Sequence, residues 1–406
     1  MIRRPLVVLV CLIVLYGPLG AAPLDTSVTA ALSVLLDRAV ARREPPGLVA
    51  MVVNRDETLY AHAAGLLSVA KAVPMREDAL FRIHSMTKPL TSVAALMLID
   101  EGLLRLDDSV ASFVPAFTAP QVVTKVNPDG TPATRPARLP VTIRHLLTHT
   151  SGIGYAFSDP MLLQLTTKTG KPEVELPLLH DPGAMWTYGA STRVLGEIIE
   201  RVTSEPLDRF LEARILKPLG MTDTFYRVPD SKLTRVMSRH QRTAGRLVEE
   251  QVAAVEESPV RGDGGLYSTA RDYGLFLQFL LNDGRTKSGT RLLSQRSMNA
   301  LRTNQIGSLF VTTQPDADPA RTRPFPLGAG RDTFSLGFQI AAVPPRGRAL
   351  RAKGSMSWGG LRNTHVRIDP QTRIGVVYMT QVLPVYDDEV MSLLTTFEET
   401  LYKGMD

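Results

Sequence analysis

Phe81-Arg82-Ile83-His84-Ser85-Met86-Thr87-Lys88-Pro89 is the stretch on which the fold turns. A short β-compatible run, Phe81-Arg82-Ile83, gives way at Ser85 to a long apolar helical pattern carrying Leu90, Val93, Leu96, Met97 and Ile99 and stopped by Gly102. Pro89 does not forbid that helix, because within the first turn its missing N–H is one that would be unpaired anyway. Residues three apart share a helix face, so the Lys88 ammonium can fold back on the Ser85 hydroxyl. A helix N-terminus disfavours a positive charge and favours a developing anion. Both effects help Ser85: Lys88 is pushed toward its neutral, basic form, and the Ser85 N–H can face an oxyanion. A serine N-cap with a solvated lysine fits the same four residues, and the spacing alone leaves both readings open. The second Ser-x-x-Lys, Ser68-Val69-Ala70-Lys71, has no helix after it and reads as a solvated turn.

Outward from this stretch, Thr26 to Arg43 carries Leu32, Leu35, Leu36 and Val40 at helical spacing. The runs 48–53 and 58–63 flank Asn54-Arg55-Asp56, a hairpin signal. From Leu103 to about Ser258 the chain reads as mostly helical, with an irregular stretch from Pro115 to Pro140 whose Asn127-Pro128-Asp129-Gly130 marks a turn. A helix follows over 270–281, strands over 336–342, 364–368 and 374–379, and a closing helix over 389–403. Strands at both ends with helices between them predict an α/β (α+β) fold: an antiparallel sheet assembled from the two termini, flanked by helices, with an inserted, mostly helical domain. The expected division is 23–102 plus 259–406 for the sheet domain and 103–258 for the helical domain, with the cleft where they meet.

The 406 residues are 44% apolar and 21% charged, which excludes a disordered chain. The formal charge of +6 is scattered rather than gathered on an arm or helix face, so no nucleic-acid partner is expected. The single cysteine, Cys11, lies between Arg3-Arg4 and Gly20-Ala21-Ala22 within an apolar run. Charged start, apolar stretch and small-residue end read as a secretory signal peptide over 1–22, cut near 20–22. The run is shorter than the ~20 residues that span a bilayer, so no stable membrane span is expected after cleavage. A periplasmic or secreted protein follows. Cleavage removes the cysteine, and thiol chemistry goes with it.

Gly-x-Ser-x-Gly is absent, which removes the nucleophile elbow of the common esterase fold. His145 and His149 have zinc-ligand spacing, but Leu146 stands where that motif needs a glutamate. No metal and no organic cofactor are expected.

Three segments occur in order: Phe81 to Pro89, then Arg144-His145-Leu146-Leu147-Thr148-His149-Thr150-Ser151-Gly152, then Gly262-Asp263-Gly264-Gly265-Leu266-Tyr267-Ser268-Thr269-Ala270. Together they make the chain resemble the penicillin-recognising serine hydrolase superfamily with the class C β-lactamase fold, and within it the family VIII carboxylesterases. The resemblance covers about residues 45 to 400. It implies Ser85 as nucleophile at the seam of a sheet domain and a helical domain, with Lys88 as its partner. The family's Tyr-x-Asn motif is matched by Tyr188-Gly189-Ala190, with Ala190 replacing the asparagine that hydrogen-bonds a substrate amide. Beside a lysine cation the Tyr188 phenolate is favoured, so Lys88 and Tyr188 are expected to share the proton of Ser85.

The family's Lys-Thr-Gly is matched by Trp358-Gly359-Gly360, as in the esterase branch, which replaces a cation by an apolar wall. By the same resemblance Gly359 and Gly360 let substrate lie close to the backbone, and the N–H of Leu361 joins that of Ser85 in the oxyanion hole. Lys353-Gly354-Ser355 has its small residues in the wrong order, and His365 lines the cleft or serves the structure. The resemblance thus implies a serine hydrolase acting on small or apolar esters through an acyl-enzyme, and the N-terminal pattern adds that it is exported. Its rivals are a β-lactamase or D-amino-acid peptidase, an acyltransferase on the same fold, and a binding module without turnover. The sequence names neither the natural ester nor the oligomeric state.

Overall fold

The computed structural model describes residues 23–251, 255, 259–342 and 351–405, so the signal segment expected over 1–22 lies outside the described residues. The centre of the fold follows from the run Gly47–Val53, every residue of which is buried. Side chains alternate along a strand. Val49, Met51 and Val53 pack in one core with Phe276 and Leu277 of the helix Ala270–Leu281. Leu48, Ala50 and Val52 pack in a second core with Leu32 and Leu36 of Thr26–Ala41 and with Leu394 and Phe397 of Asp388–Lys403. A strand covered on both faces is apolar throughout rather than alternating.

Gly47–Val53 pairs antiparallel with Thr58–Ser68 on one side and with Ile374–Met379 on the other. The full eight-stranded order is Thr333–Phe334, Gln339–Ile340, Met356–Gly360, Thr364–Asp369, Ile374–Met379, Gly47–Val53, Thr58–Ser68, Val73–Pro74. All neighbouring pairs are antiparallel. The sheet is therefore closed by both ends of the chain, as the pattern of predicted strands implied. Among the described residues no helix is long and apolar enough to cross a membrane.

The helix that follows Ser85, Thr87–Asp100, is buried from Thr87 to Leu98, so it runs through the interior rather than over the surface. Ser85 does not open it. A single 3₁₀ turn, His84–Met86, intervenes, and His84 sits at φ 44°. That left-handed geometry is unfavourable for a residue with a Cβ and survives where neighbours fix it. The Ile83 N–H donates to the Leu266 carbonyl at 2.9 Å, and the Trp358 indole N–H donates to the Ser85 carbonyl at 3.0 Å.

Between 103 and 258 the described residues hold the helices Ile143–Thr148, Pro160–Thr169 and Ser191–Thr203, preceded by one hairpin and followed by another that the helical expectation missed. Gln121–Val126 pairs with Pro132–Pro136 around the Asn127 to Gly130 turn, so the turn signal was right but its flanking valines and threonine belong to strands. His240–Thr243 pairs with Arg246–Glu249 across Ala244 and Gly245, at φ 47° and 75°. Such a turn asks for positive φ at both positions, and alanine does not announce it. This hairpin also pairs in parallel with Val382–Leu383, so the chain has rejoined its C-terminal part before the expected boundary at 258. The strand expected over 336–342 shrinks to Gln339–Ile340, because Ser335 and Phe338 close a tight turn through Gly337 at φ 138°.

Phe397 is fully buried against the sheet, with its ring 6.1 Å from that of Tyr60. Phe397→Ala is expected to cost about 3–5 kcal/mol in urea unfolding, and a loss below 1 kcal/mol would mean that this helix does not seal the sheet.

Candidate active site

Ser85, Lys88 and Tyr188 come together. The Tyr188 hydroxyl donates to Ser85 Oγ at 2.7 Å, and Lys88 Nζ donates to the same oxygen at 3.1 Å. Tyr188 stands just before the helix Ser191–Thr203, and its backbone N–H is held by Gln314 Oε1 at 3.1 Å. Gly189 lets this loop press on its neighbour, since a Cβ there would lie 1.9 Å from the Ile153 carbonyl oxygen. The Tyr188 ring is packed edge to face by His149, Tyr155, Phe325 and Trp358, at centroid distances of 5.1, 5.3, 5.5 and 5.3 Å.

Lys88 is 1% exposed. Burial pulls its amine down to about 7, Asp263 opposes that shift, and Arg193 and Arg261 reinforce it. Desolvation penalises the charged form of any group, and for Tyr188 it pushes the phenol above its ordinary range, against the pull of the Ser85 hydrogen bond. The phenolate expected from a neighbouring cation is therefore reversed. A base that is partly neutral near pH 7 sits beside a phenol that keeps its proton. The pair can take a proton from Ser85 at nitrogen and offer one from the phenol.

Two residues that the motifs did not single out complete the polar centre. Tyr155 accepts a hydrogen bond from Lys88 Nζ at 3.0 Å and donates to Asp263 Oδ2 at 2.7 Å. The Asp263 backbone carbonyl accepts from Lys88 Nζ at 2.9 Å. Asp263 is 4% exposed, and its carboxylate lies 3.3 Å from Arg193 and 3.5 Å from Arg261. Burial alone would raise its pKa, but Lys88, Arg193 and Arg261 together hold it below the usual range. The available signal was an acid enclosed by Gly262 and Gly264-Gly265; Tyr155, after Gly152-Ile153-Gly154, offered none.

Ser85 stands between two cavities. The first is walled by Phe157, Trp186, Tyr188, Phe325, Trp358 and Tyr386. The second is polar and includes Tyr155, Glu173, Arg193, Arg261, Asp263 and Arg321. Trp358, Gly359, Gly360 and Leu361 all line the first, and Leu361 also reaches the second. The two glycines answer to the chain as well as to a ligand. A Cβ on Gly360 would lie 2.3 Å from the Ile83 carbonyl oxygen, and one on Gly359 would lie 2.8 Å from His365 Nδ1.

His365 is buried behind that strand, hydrogen-bonded to Asn363 at 3.3 Å, and borders neither cavity; it is structural. His145 caps the N-terminus of its own helix through the Thr142 N–H, whereas His149 stacks on Trp358 at 5.9 Å. Ser68 hydrogen-bonds Glu249, and Lys71 and Lys353 are exposed, all away from Ser85.

Residues 33–393 match the Beta-lactamase family. The chain belongs to the beta-lactamase family. Within it, monacolin J acid methylbutanoyltransferase of Aspergillus terreus is 31% identical over 389 residues, covering 90% of this chain and 93% of that one. Lovastatin esterase of Penicillium rubens is 30% identical over 371 residues, covering 85% and 91%. A variant of simvastatin synthase from Aspergillus terreus superposes with a TM-score of 0.80 at 29% identity, covering 94% of this chain and 96% of that one. The fold anticipated from the three sequence segments is that of this solved relative, and the similar proteins include an esterase and an acyltransferase.

Because Lys88 must be neutral to accept a proton and its amine is held near 7, kcat/KM for an ester is expected to rise with pH through about 7. Below that it should fall roughly tenfold per pH unit as the lysine becomes charged. A profile with its acid limb instead near 10, the range of an ordinary lysine, would show that Lys88 is not desolvated in solution.

Proposed function

We propose that this chain is a serine hydrolase that cleaves carboxylic esters through an acyl-enzyme on Ser85. The observation that carries the reading is the placement of Ser85 Oγ, within 3.1 Å of Lys88 Nζ and 2.7 Å of the Tyr188 hydroxyl, at the junction of an apolar and a polar cavity. The acyl part of the ester enters the aromatic cavity and the alcohol part faces the polar one. Lys88 takes the Ser85 proton as Oγ bonds to the carbonyl carbon, and the backbone N–H groups of Ser85 and Leu361 hold the oxyanion. Collapse breaks the bond to the alcohol oxygen, which receives the proton that Lys88 took from Ser85, while the Tyr188 hydroxyl donates a hydrogen bond at Ser85 Oγ. Water then follows the same path and releases the acid.

Ala190 and Trp358 stand where a lactamase places an amide and a cation, which supports a small or apolar ester over a charged lactam or peptide. Similarity to lovastatin esterase supports hydrolysis. The polar cavity beside Ser85 and the methylbutanoyltransferase relative support a second outcome, in which an alcohol held there accepts the acyl group in place of water. The chain is further proposed to be exported, on the signal-like pattern of residues 1–22.

The test is a panel of short nitrophenyl esters and a chromogenic cephalosporin, each with and without an alcohol acceptor, on wild type and Ser85→Ala. Hydrolysis of the esters is expected to fall by at least about 10³-fold in the variant. Efficient cephalosporin cleavage with inert esters would point to a lactamase, and labelling of wild type by a serine-directed probe no stronger than that of Ser85→Ala would point to a binding module. For export, N-terminal sequencing of protein from the periplasm or medium is expected to begin near residues 21–23. An intact Met1 on cytoplasmic material alone would contradict it.

A further inference from the structure

Lys88 Nζ has three polar contacts, and two of them can only accept. The Asp263 carbonyl, at 2.9 Å, has no proton to give. The Tyr155 hydroxyl, at 3.0 Å, has one, and it is committed to Asp263 Oδ2 at 2.7 Å. A neutral amine carries two N–H bonds and one lone pair in fixed tetrahedral directions around nitrogen. With two N–H bonds drawn to Tyr155 and Asp263, the third position on nitrogen faces Ser85 Oγ at 3.1 Å: it donates there while the amine is charged and becomes the lone pair, still facing Oγ, when the amine is neutral. We propose that Tyr155 and Asp263 are positioning residues that aim the Lys88 lone pair at Ser85. The inference rests on the reading of Ser85 as the acylated nucleophile.

The arrangement depends on Asp263 remaining an acceptor. Its carboxylate is anchored by Arg193 on the helix Ser191–Thr203 and approached by Arg261 on its own segment. Were Asp263 protonated, Tyr155 would be free to turn its hydroxyl toward Lys88 and draw the lone pair away from Ser85. The other titratable groups facing Lys88 are Tyr188 and His149. Tyr188 presents its ring face to Nζ at 4.9 Å and its hydroxyl to Ser85. Burial holds His149 well below its ordinary range, so it stays neutral and adds no competing charge. Tyr155 is fixed from behind by Phe157, stacked at 4.9 Å, so its ring orientation does not rely on the hydroxyl.

Two substitutions separate aiming from mere support. Tyr155→Phe keeps the ring and its packing and removes the acceptor; Asp263→Asn keeps the shape and removes the charge. Each is expected to lower kcat/KM for a short nitrophenyl ester on the order of 100-fold, with thermal midpoints close to that of wild type. Asp263→Asn should also move the acid limb of the pH profile downward, because the carboxylate favours the charged lysine and its loss favours the neutral one. That displacement is a readout a packing defect would not give. As members of one unit, the two changes together should cost no more than the worse single change. Tyr155→Phe within twofold of wild type, an unmoved limb in Asp263→Asn, or multiplying losses in the double variant would each overturn the inference. A wild type without Ser85-dependent turnover would instead remove the esterase reading and this inference with it.

Discussion

Everything at the centre of this molecule depends on keeping one lysine amine out of water. Lys88 is at the second position of a helix buried through Leu98, and its nitrogen meets groups from three other parts of the chain: the Ser85 turn, the Tyr155 loop and the Gly262 to Gly265 segment. An isolated charge in such a place is costly, so the group moves toward neutrality. That shift makes a lysine into a base near neutral pH. The opposing pull of Asp263 and the contributions of Arg193 and Arg261 set how far it goes. The same exclusion of water raises the Tyr188 phenol, so one physical effect moves the titration of two neighbours in opposite directions.

The sheet makes this enclosure possible. Gly47–Val53 is covered on both faces, and its edges are filled by strands from the N-terminal and the C-terminal parts of the chain. The strand Met356–Gly360 therefore comes to lie beside the Ser85 turn, where the absence of a side chain on Gly360 permits contact with Ile83 and the Trp358 indole grips the Ser85 carbonyl. The strained His84 is held from two sides, by the sheet through Trp358 and by Leu266 through Ile83.

Much of this was legible in the residues. The continuous apolar run at 48–53, the helical spacing from Leu90 to Ile99 and the strands over 364–368 and 374–379 were readable from the residues, and the resemblance supplied the expectation that Ser85 stands at a seam. Tyr188 and Trp358 were found through resemblance rather than spacing, because residues about 100 and 270 positions from Ser85 leave no local pattern. Tyr155 and Asp263 were missed as site residues for the same reason, since their importance lies in who donates to whom. The hairpin at Ala244-Gly245 stayed hidden because alanine occupies a position that normally advertises itself with glycine or asparagine. The phenolate assignment failed because proximity to a cation was weighed without the desolvation that accompanies it.

The covalent step is the part of the account most open to direct observation. Protein mixed with a short-chain nitrophenyl ester, quenched in acid within the first turnovers and measured by intact-mass and peptide mass spectrometry, reports where the acyl group resides. The account predicts a single acyl adduct on Ser85, present in wild type and absent from Ser85→Ala. Turnover proceeding with no adduct, or with the acyl group on any other residue, would contradict it.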